Sequence, residues 1–362
     1  MPVIRDLGVE EEIKKVATYK PGATFCIQSD VKSVIQFDRY PGVLANYAYN
    51  VPRVELDKIL LNAAEKAGVK IIDRKAEITA KDNHIKLSDS CEALLREVIG
   101  VGDVLYVDAT GRSRQFAKAL GVKERVGKRS DYAVFSHWDH IELENPGHIH
   151  INRIKYGWCW RIPLPGRVSL GIVISPEHLK KFGETTEEQY LNFVSSEETL
   201  KAFSKGAKKI APVMKYSNYQ LVSNRLIGPN WAMVGDSAGF VDPIFSSGVN
   251  LALNGARALA KAILKGGQGS DLLQYEKISI KRLECWQQIV ESFYDGRLFG
   301  LIRAQEYSGD IFPWNLILPT IKTNLEKVFS GMVSPDSYSF HLAKSVIKLK
   351  YAEKFGSRLS IR

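Results

Sequence analysis

The stretch from Val234 to Asn250 constrains this chain more than any other. It reads Val-Gly-Asp-Ser-Ala-Gly-Phe-Val-Asp-Pro-Ile-Phe-Ser-Ser-Gly-Val-Asn and follows Trp231-Ala232-Met233, a short apolar run of strand composition. A strand that ends in Gly-Asp, a loop of small residues and then a helix start is a shape that suits a polyol phosphate. Gly235 and Gly239 permit close backbone approach. Asp236 can accept hydrogen bonds from ribityl or ribose hydroxyls. The N–H groups of Gly248, Val249 and Asn250 open a helix, and their partial positive charge can hold an anion or an electron-rich ring edge. An ordinary loop and helix cap would account for the Gly-Asp pair alone, but not for the whole block.

Two further blocks bear on it. Val104 to Asp108 reads as a buried strand running into Ala109-Thr110-Gly111-Arg112-Ser113, a tight turn before a helix. There Asp108, Gly111 and Arg112 can orient a ribose or a pyrophosphate; alternatively, Asp108 simply caps the helix. The Gly-Asp block follows about 125 residues later, as a bipartite dinucleotide site requires. The third block is Gly157-Trp158-Cys159-Trp160-Arg161-Ile162-Pro163. Trp158 and Trp160 stand two apart and so share one face of a strand. Sheet packing alone would explain them.

Together these blocks resemble the FAD-dependent monooxygenase-like superfamily, and within it the flavin-dependent halogenases. The resemblance covers nearly all of residues 1–265. Val51 to Leu61 is similar to the segment in which an arginine, here Arg53, begins a helix beside the flavin. Asp108–Ser113 and Gly235–Val249 resemble the second and third flavin motifs. Trp158 to Pro163 resembles the W-x-W-x-I-P signature of halogenases. The resemblance implies that reduced FAD and oxygen convert a bound chloride or bromide into a hypohalous acid, which crosses a tunnel to an electron-rich aromatic substrate. It places Arg53, Asp108, Gly111, Arg112, Gly235, Asp236, Val249 and Asn250 at the cofactor, Ser247 and Gly248 at the halide, and Trp158, Trp160 and Phe245 at the substrate. Phe245 stands where tryptophan-specific members carry a glutamate, which points to a phenolic or pyrrolic substrate, some of which are held on acyl or peptidyl carrier proteins. A separate flavin reductase is the implied source of reduced FAD.

The implied fold is α/β: a Rossmann-like FAD-binding domain of the GR2 type (residues 1–125 and 225–270), an inserted antiparallel β substrate domain (126–224) and a helical C-terminal region (271–362). The residues agree in outline. A helix is expected over 1–19, with Gly8 a weak point, and a strong helix over Val54–Ala67, closed by Gly68. Val69 to Ile72 reads as a strand. Strands are also expected at 23–27 and 33–37, and an antiparallel series between 130 and 175. Helices are expected at 186–205 and 247–265.

Two departures stand out. The G-x-G-x-x-G loop is absent: Gly100-Val101-Gly102 precedes a strand rather than a helix, and Gly266-Gly267-Gln268-Gly269 follows one. The family's catalytic lysine is expected upstream of Met1, so the sequence reading assigns no lysine to that role. The native gene is therefore expected to begin upstream of Met1, or the chain to be a split or degenerate product. Alternatives to a halogenase are a hydroxylase or prenyl reductase, and a non-catalytic flavoprotein remnant.

Composition narrows the remainder. No apolar run approaches the roughly 20 residues of a membrane helix. The four cysteines stand alone, which fits a reducing cytoplasm without metal or disulfides. Net charge is +10 with no nucleic-acid signature. A local basic excess (Lys344, Lys348, Lys350, Lys354, Arg358 and Arg362) reads as a solvated face, or as a dock for an acidic carrier. Tyr294, Phe299, Phe312 and Trp314 read as helical packing.

Overall fold

The computed structural model describes residues 1–27, 32–39, 46–100, 102–217, 220–266 and 269–298, with isolated residues beyond, among them Ser360 and Ile361. Phe299, Phe312, Trp314 and the basic run near the C-terminus lie outside the described residues. The chain divides into two units. Unit 1 comprises Met1–Leu60, Arg129–Asn218 and Gln288–Arg362; unit 2 comprises Leu61–Lys128 and Tyr219–Gln287.

The first elements are α1 (Pro2–Asp6), α2 (Glu10–Val16), β1 (Thr18–Lys20), β2 (Gly22–Cys26), β3 (Lys32–Gln36), β4 (Ala48–Asn50) and α3 (Arg53–Lys66). The helix expected over 1–19 is broken at Gly8, which takes φ +69°, a left-handed conformation that ends a helix. Its last residues turn extended and pair as β1 with β4. Next come β5 (Ile78–Lys81), β6 (His84–Leu87), α4 (Asp89–Ile99), β7 (Tyr106–Asp108), α5 (Gln115–Leu120) and β8 (Glu124–Val126). Asp82 and Asn83, both at positive φ, form the tight turn of the β5–β6 hairpin. Val69 to Ile72 forms no strand: Val69, Ile71 and Ile72 are exposed and pair with no described strand. β7 is shorter than expected, and Val107 within it is exposed.

The middle of the chain gives β9 (Tyr132–Trp138), β10 (Ile149–Ile154), β11 (Gly157–Leu164), β12 (Arg167–Ile174), α6 (Pro176–Leu179), α7 (Thr186–Ser196), α8 (Glu198–Phe203) and β13 (Met214–Ser217). The remainder is β14 (Leu221–Ser223), β15 (Trp231–Met233), β16 (Gly239–Phe240), α9 (Ser247–Leu264) and α10 (Gly269–Tyr294).

Unit 1 is built on a seven-stranded sheet of order β13-β9-β12-β11-β10-β2-β3. Its ladders are antiparallel except β10–β2, where Ile149 pairs with Ala23 and Ile151 with Phe25 in parallel. That pairing draws residues 22–36, assigned from sequence to the cofactor domain, into the large sheet; such a contact leaves no local trace in sequence. β12 reads Arg-Val-Ser-Leu-Gly-Ile-Val-Ile and is buried from Val168 onward, as a central strand covered on both faces should be. One face packs Leu170, Ile172 and Ile174 against Tyr190, Phe193 and Leu200 of α7 and α8. Thr185 begins α7 with a reciprocal cap through Glu188.

Unit 2 holds the parallel pair β7–β15, the antiparallel set β16-β14-β8 and the β5–β6 hairpin. Trp231, Ala232 and Met233 are fully buried and pack with Phe116, Leu259, Leu272 and Tyr275. The outline is mixed α/β. Among the described residues no helix is long and apolar enough to cross a membrane.

The hydroxyl of Tyr190 donates to the Leu170 carbonyl (2.8 Å) and accepts from Trp138 Nε1 (2.9 Å) in a fully buried setting. Tyr190→Phe strands both partners. It should lower stability by about 1–3 kcal/mol in denaturant unfolding.

Candidate functional site

In unit 2 the two motifs meet at a strand end. β7 and β15 run in parallel with Tyr106 opposite Trp231 and Met233 opposite Asp108. Beyond the ladder, Val234 N–H donates to the Asp108 carbonyl (3.0 Å) and so does Ser237 Oγ (2.5 Å). The turn after β7 and the Gly-Asp loop after β15 are thereby fixed to one another.

The Asp108 carboxylate is buried and engaged within the protein. One oxygen accepts from Thr110 N–H (2.8 Å) and Thr110 Oγ1 (2.6 Å), the other from Phe116 N–H (2.8 Å) at the start of α5. Asp108 is thus a helix-capping and turn-forming residue, not a group reaching for a ligand hydroxyl. Gly111 takes φ +63° in that turn, with open space where a side chain would stand. Arg112 is exposed.

The cation that organises the turn is Arg114, which sequence reading passed over. It is buried at φ +48°. Its guanidinium donates to the Ser237 carbonyl (3.3 Å) and Ser223 Oγ (2.8 Å) and pairs with Glu124. It therefore links the β7 turn, the Gly-Asp loop and the β14–β8 ladder. Only its place one residue past Gly111-Arg112-Ser113 could have singled it out.

Past β15, Gly235 takes φ +66°. Asp236 follows, half-buried, beside a cleft that also touches Ser247 and Gly248. Gly239 is required for a different reason than expected. A Cβ there would lie 2.8 Å from the Leu221 carbonyl oxygen and 2.9 Å from Leu283 Cδ1, so its close approach is to protein. Asp242 then accepts from Ile244 N–H (2.9 Å) and Gln220 Nε2 (3.0 Å), which shapes the loop into α9. Ser246 caps α9 at φ +52° and its side chain makes no capping bond. Among the described residues nothing accepts the first-turn amides of Ser247, Gly248 and Val249. Unsatisfied amides at the start of an 18-residue helix suit an anion or an electron-rich ring edge. A Cβ on Gly248 would meet only Phe240, at 3.8 Å, so packing does not demand glycine there. The Asn250 side chain is held by Asn254 (2.9 Å).

A family model described as tryptophan halogenase matches residues 8–297. The chain belongs to the tryptophan halogenase family. It is similar to the 1H-pyrrole-2-carbonyl-(peptidyl-carrier protein) chlorinase of Pseudomonas fluorescens, 26% identical over 330 residues, which cover 81% of this chain and 73% of that protein. It is also similar to the tryptophan 2-halogenase of Chondromyces crocatus, 30% identical over 274 residues, covering 69% of this chain and 51% of that one. The chain thus spans between half and three quarters of these relatives' length. In fold it matches the flavin-dependent brominase Bmp2 with a TM-score of 0.77, at 20% identity, over 98% of this chain and 87% of that one.

The other residues that the halogenase resemblance implied divide by environment. Arg53 lies on the surface of α3 in unit 1 and pairs with Asp57 one turn on, 3.2 Å away. An exposed pair of this kind contributes little to stability. Phe245, in unit 2, is buried against Trp286, ring centroids 6.1 Å apart, and so serves packing. Trp158 is 2% exposed, with Nε1 donating to Tyr294 OH (2.9 Å). It belongs to the core of unit 1. Trp160, on the same face, is half-buried and donates to Ser169 Oγ (3.1 Å). Its indole lies across Gly171, where a Cβ would sit 2.1 Å from the ring. Phe135 and Tyr216 continue the aromatic row, with centroid spacings of 5.7 and 5.9 Å.

Unit 1 also holds a lysine that sequence reading missed. Lys20, at the end of β1, has its ammonium 5.7 Å from the centre of the Phe37 ring. Lys20 as a whole is half-buried, but desolvation of its ammonium pushes it down to about 8, and among the described residues no carboxylate pairs with it. A desolvated amine without a counter-ion is a signature of a functional lysine. No local pattern in Thr-Tyr-Lys-Pro-Gly reveals it.

Two stability measurements check this geometry. Gly235→Ala meets no clash but must hold φ +66°, and should cost about 1–2 kcal/mol. Arg114→Met removes a buried cation with three partners and should cost about 2–3 kcal/mol, with flavin retention lost in parallel because the Gly-Asp loop loses its anchor.

Proposed function

We propose that this protein is an FAD-dependent halogenase acting on an electron-rich aromatic substrate. The observation that carries the reading is the unit 2 strand-end junction: the Gly-Asp loop is fixed to the β7 turn and opens onto unsatisfied first-turn amides of α9. Gly235, Asp236, Val249 and Asn250 would hold FAD, Asp236 through ribityl hydroxyls and the helix start through the ring edge. Gly111 and Arg112 border the same turn, while Asp108 and Arg114 position it. FAD, bound and reduced, supplies the electrons that let oxygen oxidise a halide. The amides of Ser247 and Gly248 would hold chloride or bromide, since helix-start N–H groups favour small anions.

Unit 1 carries an aromatic row and a desolvated lysine. Trp160 and Phe135 are the half-exposed members of the aromatic row, suited to stacking on a planar ring. Lys20 is the candidate for the lysine that the family uses to relay the oxidised halogen. With its ammonium down at about 8, it can hold or release a proton near neutrality. The pyrrole chlorinase relative, whose name specifies a peptidyl-carrier-bound substrate, supports a phenolic or pyrrolic group on a carrier protein. Apolar Phe245 in place of a glutamate agrees with a substrate other than free tryptophan. A flavin reductase would deliver reduced FAD. The free cysteines Cys26, Cys91, Cys159 and Cys285 are each buried, which fits a reducing cytoplasm.

The test is chloride-dependent turnover of phenolic and pyrrolic substrates, free and carrier-bound, with FAD and a flavin reductase. Turnover that inserts oxygen and ignores chloride would instead establish a hydroxylase. Lys20→Met should retain FAD binding and lose turnover by about 10²–10⁴-fold. The same variant should unfold at a higher temperature at pH 7. The Lys20 amine is depressed in the fold, so the unfolded chain binds more protons between about 8 and the ordinary lysine range. Stability therefore rises with pH through that window, and the wild type carries the cost of a desolvated charge below it.

A further inference from the structure

The turn ahead of β10 is seated directly beneath the backbone that carries Lys20. Gly147 takes φ +77°, and a Cβ there would lie 2.4 Å from the Tyr19 carbonyl oxygen and 2.9 Å from Pro21 Cδ. The Gly147 carbonyl accepts from Asn50 Nδ2 (3.0 Å), and Asn50 pairs with Thr18 across β1–β4. The next residue, His148, is 1% exposed. Its imidazole packs against Gly22, where a Cβ would be 2.7 Å from Cε1 and 2.8 Å from Nε2, and also too close to the Ile35 carbonyl oxygen. Nδ1 is 3.1 Å from Thr24 Oγ1, which in turn accepts from Asn145 Nδ2 (3.1 Å). With Asn145 donating to the hydroxyl oxygen, the Thr24 O–H is available to donate to Nδ1, which leaves the ring proton on Nε2. Two glycines and a threonine thus hold the imidazole against Gly22, two residues past Lys20.

We propose that His148 is a positioning residue for the Lys20 amine, a neutral, clamped ring that fixes β1 and keeps water from the lysine. The proposal rests on the reading of Lys20 as the working lysine. It assigns His148 no contact with substrate or flavin. Burial first, and then the Lys20 charge, push the His148 imidazole below its ordinary value, so the ring is uncharged at neutrality. The groups facing His148 are Lys20 from β1, uncharged Thr24 from β2 and His150 from β10, whose ring centroid is 6.4 Å away. His150 is itself pushed down to about 4 by burial and the Arg161 charge. Glu144 contributes to the surroundings of His150 and is paired with Lys32 (2.8 Å). Among the described residues the surroundings therefore offer Lys20 no counter-charge, and desolvation sets its state.

The experiment titrates the lysines of the full chain by NMR on ¹³C-lysine protein, with Lys20→Met assigning the resonance, in wild type, His148→Ala, His148→Asn and Gly22→Ala. In wild type one lysine should titrate near 8. His148→Ala admits water and should raise that midpoint by about one pH unit or more, toward the ordinary lysine value. Gly22→Ala, whose Cβ would meet the Ile35 carbonyl oxygen as well as the ring, displaces the ring together with the β2–β3 edge and should raise it too. His148→Asn, which retains a partner for Thr24, should restore most of the depression. The alkaline limb of the turnover profile should move with the midpoint, in kcat rather than KM. An unchanged or lower midpoint in folded His148→Ala and Gly22→Ala overturns the proposal; His148→Asn keeps the test open if the alanine variant fails to fold. If Lys20→Met retains full chloride-dependent turnover, the Lys20 reading fails separately, whatever the titration shows.

Discussion

The carbonyl oxygen of Asp108 is the point on which the unit 2 site depends. It ends β7 and receives both the Val234 amide and the Ser237 hydroxyl from the loop after β15. Parallel strands fix direction and register, but the loops beyond their C-terminal ends are free unless something fastens them. Here the fastening is doubled: Arg114 reaches the Ser237 carbonyl from the other side. Asp108 contributes through its backbone to one motif and through its carboxylate to the helix of the other. Its carbonyl and carboxylate oxygens all hold protein to protein, while Asp236 and the first turn of α9 border the cleft.

This division of labour explains what the sequence could and could not show. Local signals were readable. Pro52 and Gly68 bracket α3, and α9 begins at Ser247 as the loop composition implies. The series of apolar runs between 130 and 175, punctuated by Gly and Pro, gives β9 to β12, because strand composition and turn residues are local signals. The site's outline was readable for the same reason, since strand-Gly-Asp-loop-helix is a local pattern. What was not readable depends on partners distant in sequence. Val69 to Ile72 has the composition of a strand and no neighbour to pair with among the described residues. Residues 22–36 join the large sheet only through the parallel pairing with β10. Arg112 and Arg114 are indistinguishable as letters, and burial alone makes Arg114 the organising cation. Trp158 and Trp160 share a face, yet a hydrogen bond to Tyr294 assigns one to the core and leaves the other half-open.

Lys20 is the clearest case. Its character comes from what surrounds it rather than from what precedes or follows it. A lysine in Thr-Tyr-Lys-Pro-Gly would ordinarily be a solvated surface cation. Phe37 at the end of β3 and His148 ahead of β10 arrive from 17 and 128 positions away, and the shift follows from their packing. Sequence patterns register chain neighbours; desolvation is a property of the assembled fold.

The same physics bears on why the polar interior of unit 1 is built as it is. Thr24, His148, His150, Asn152 and Arg161 are all buried on or beside β2, β10 and β11. A carboxylate set among them would be the cheaper solution for stability, because buried cations without counter-ions are costly. The fold instead places its nearest acid, Glu144, at the edge with Lys32 and leaves the imidazoles neutral. An interior that withholds counter-charge lowers the proton affinity of its basic groups. That condition is a liability in a protein selected only to be stable, and a requirement in one whose lysine must exchange a proton near neutral pH. On the proposed role of Lys20, the arrangement of unit 1 around it is chemistry imposed on a sheet rather than a sheet that happens to contain polar residues.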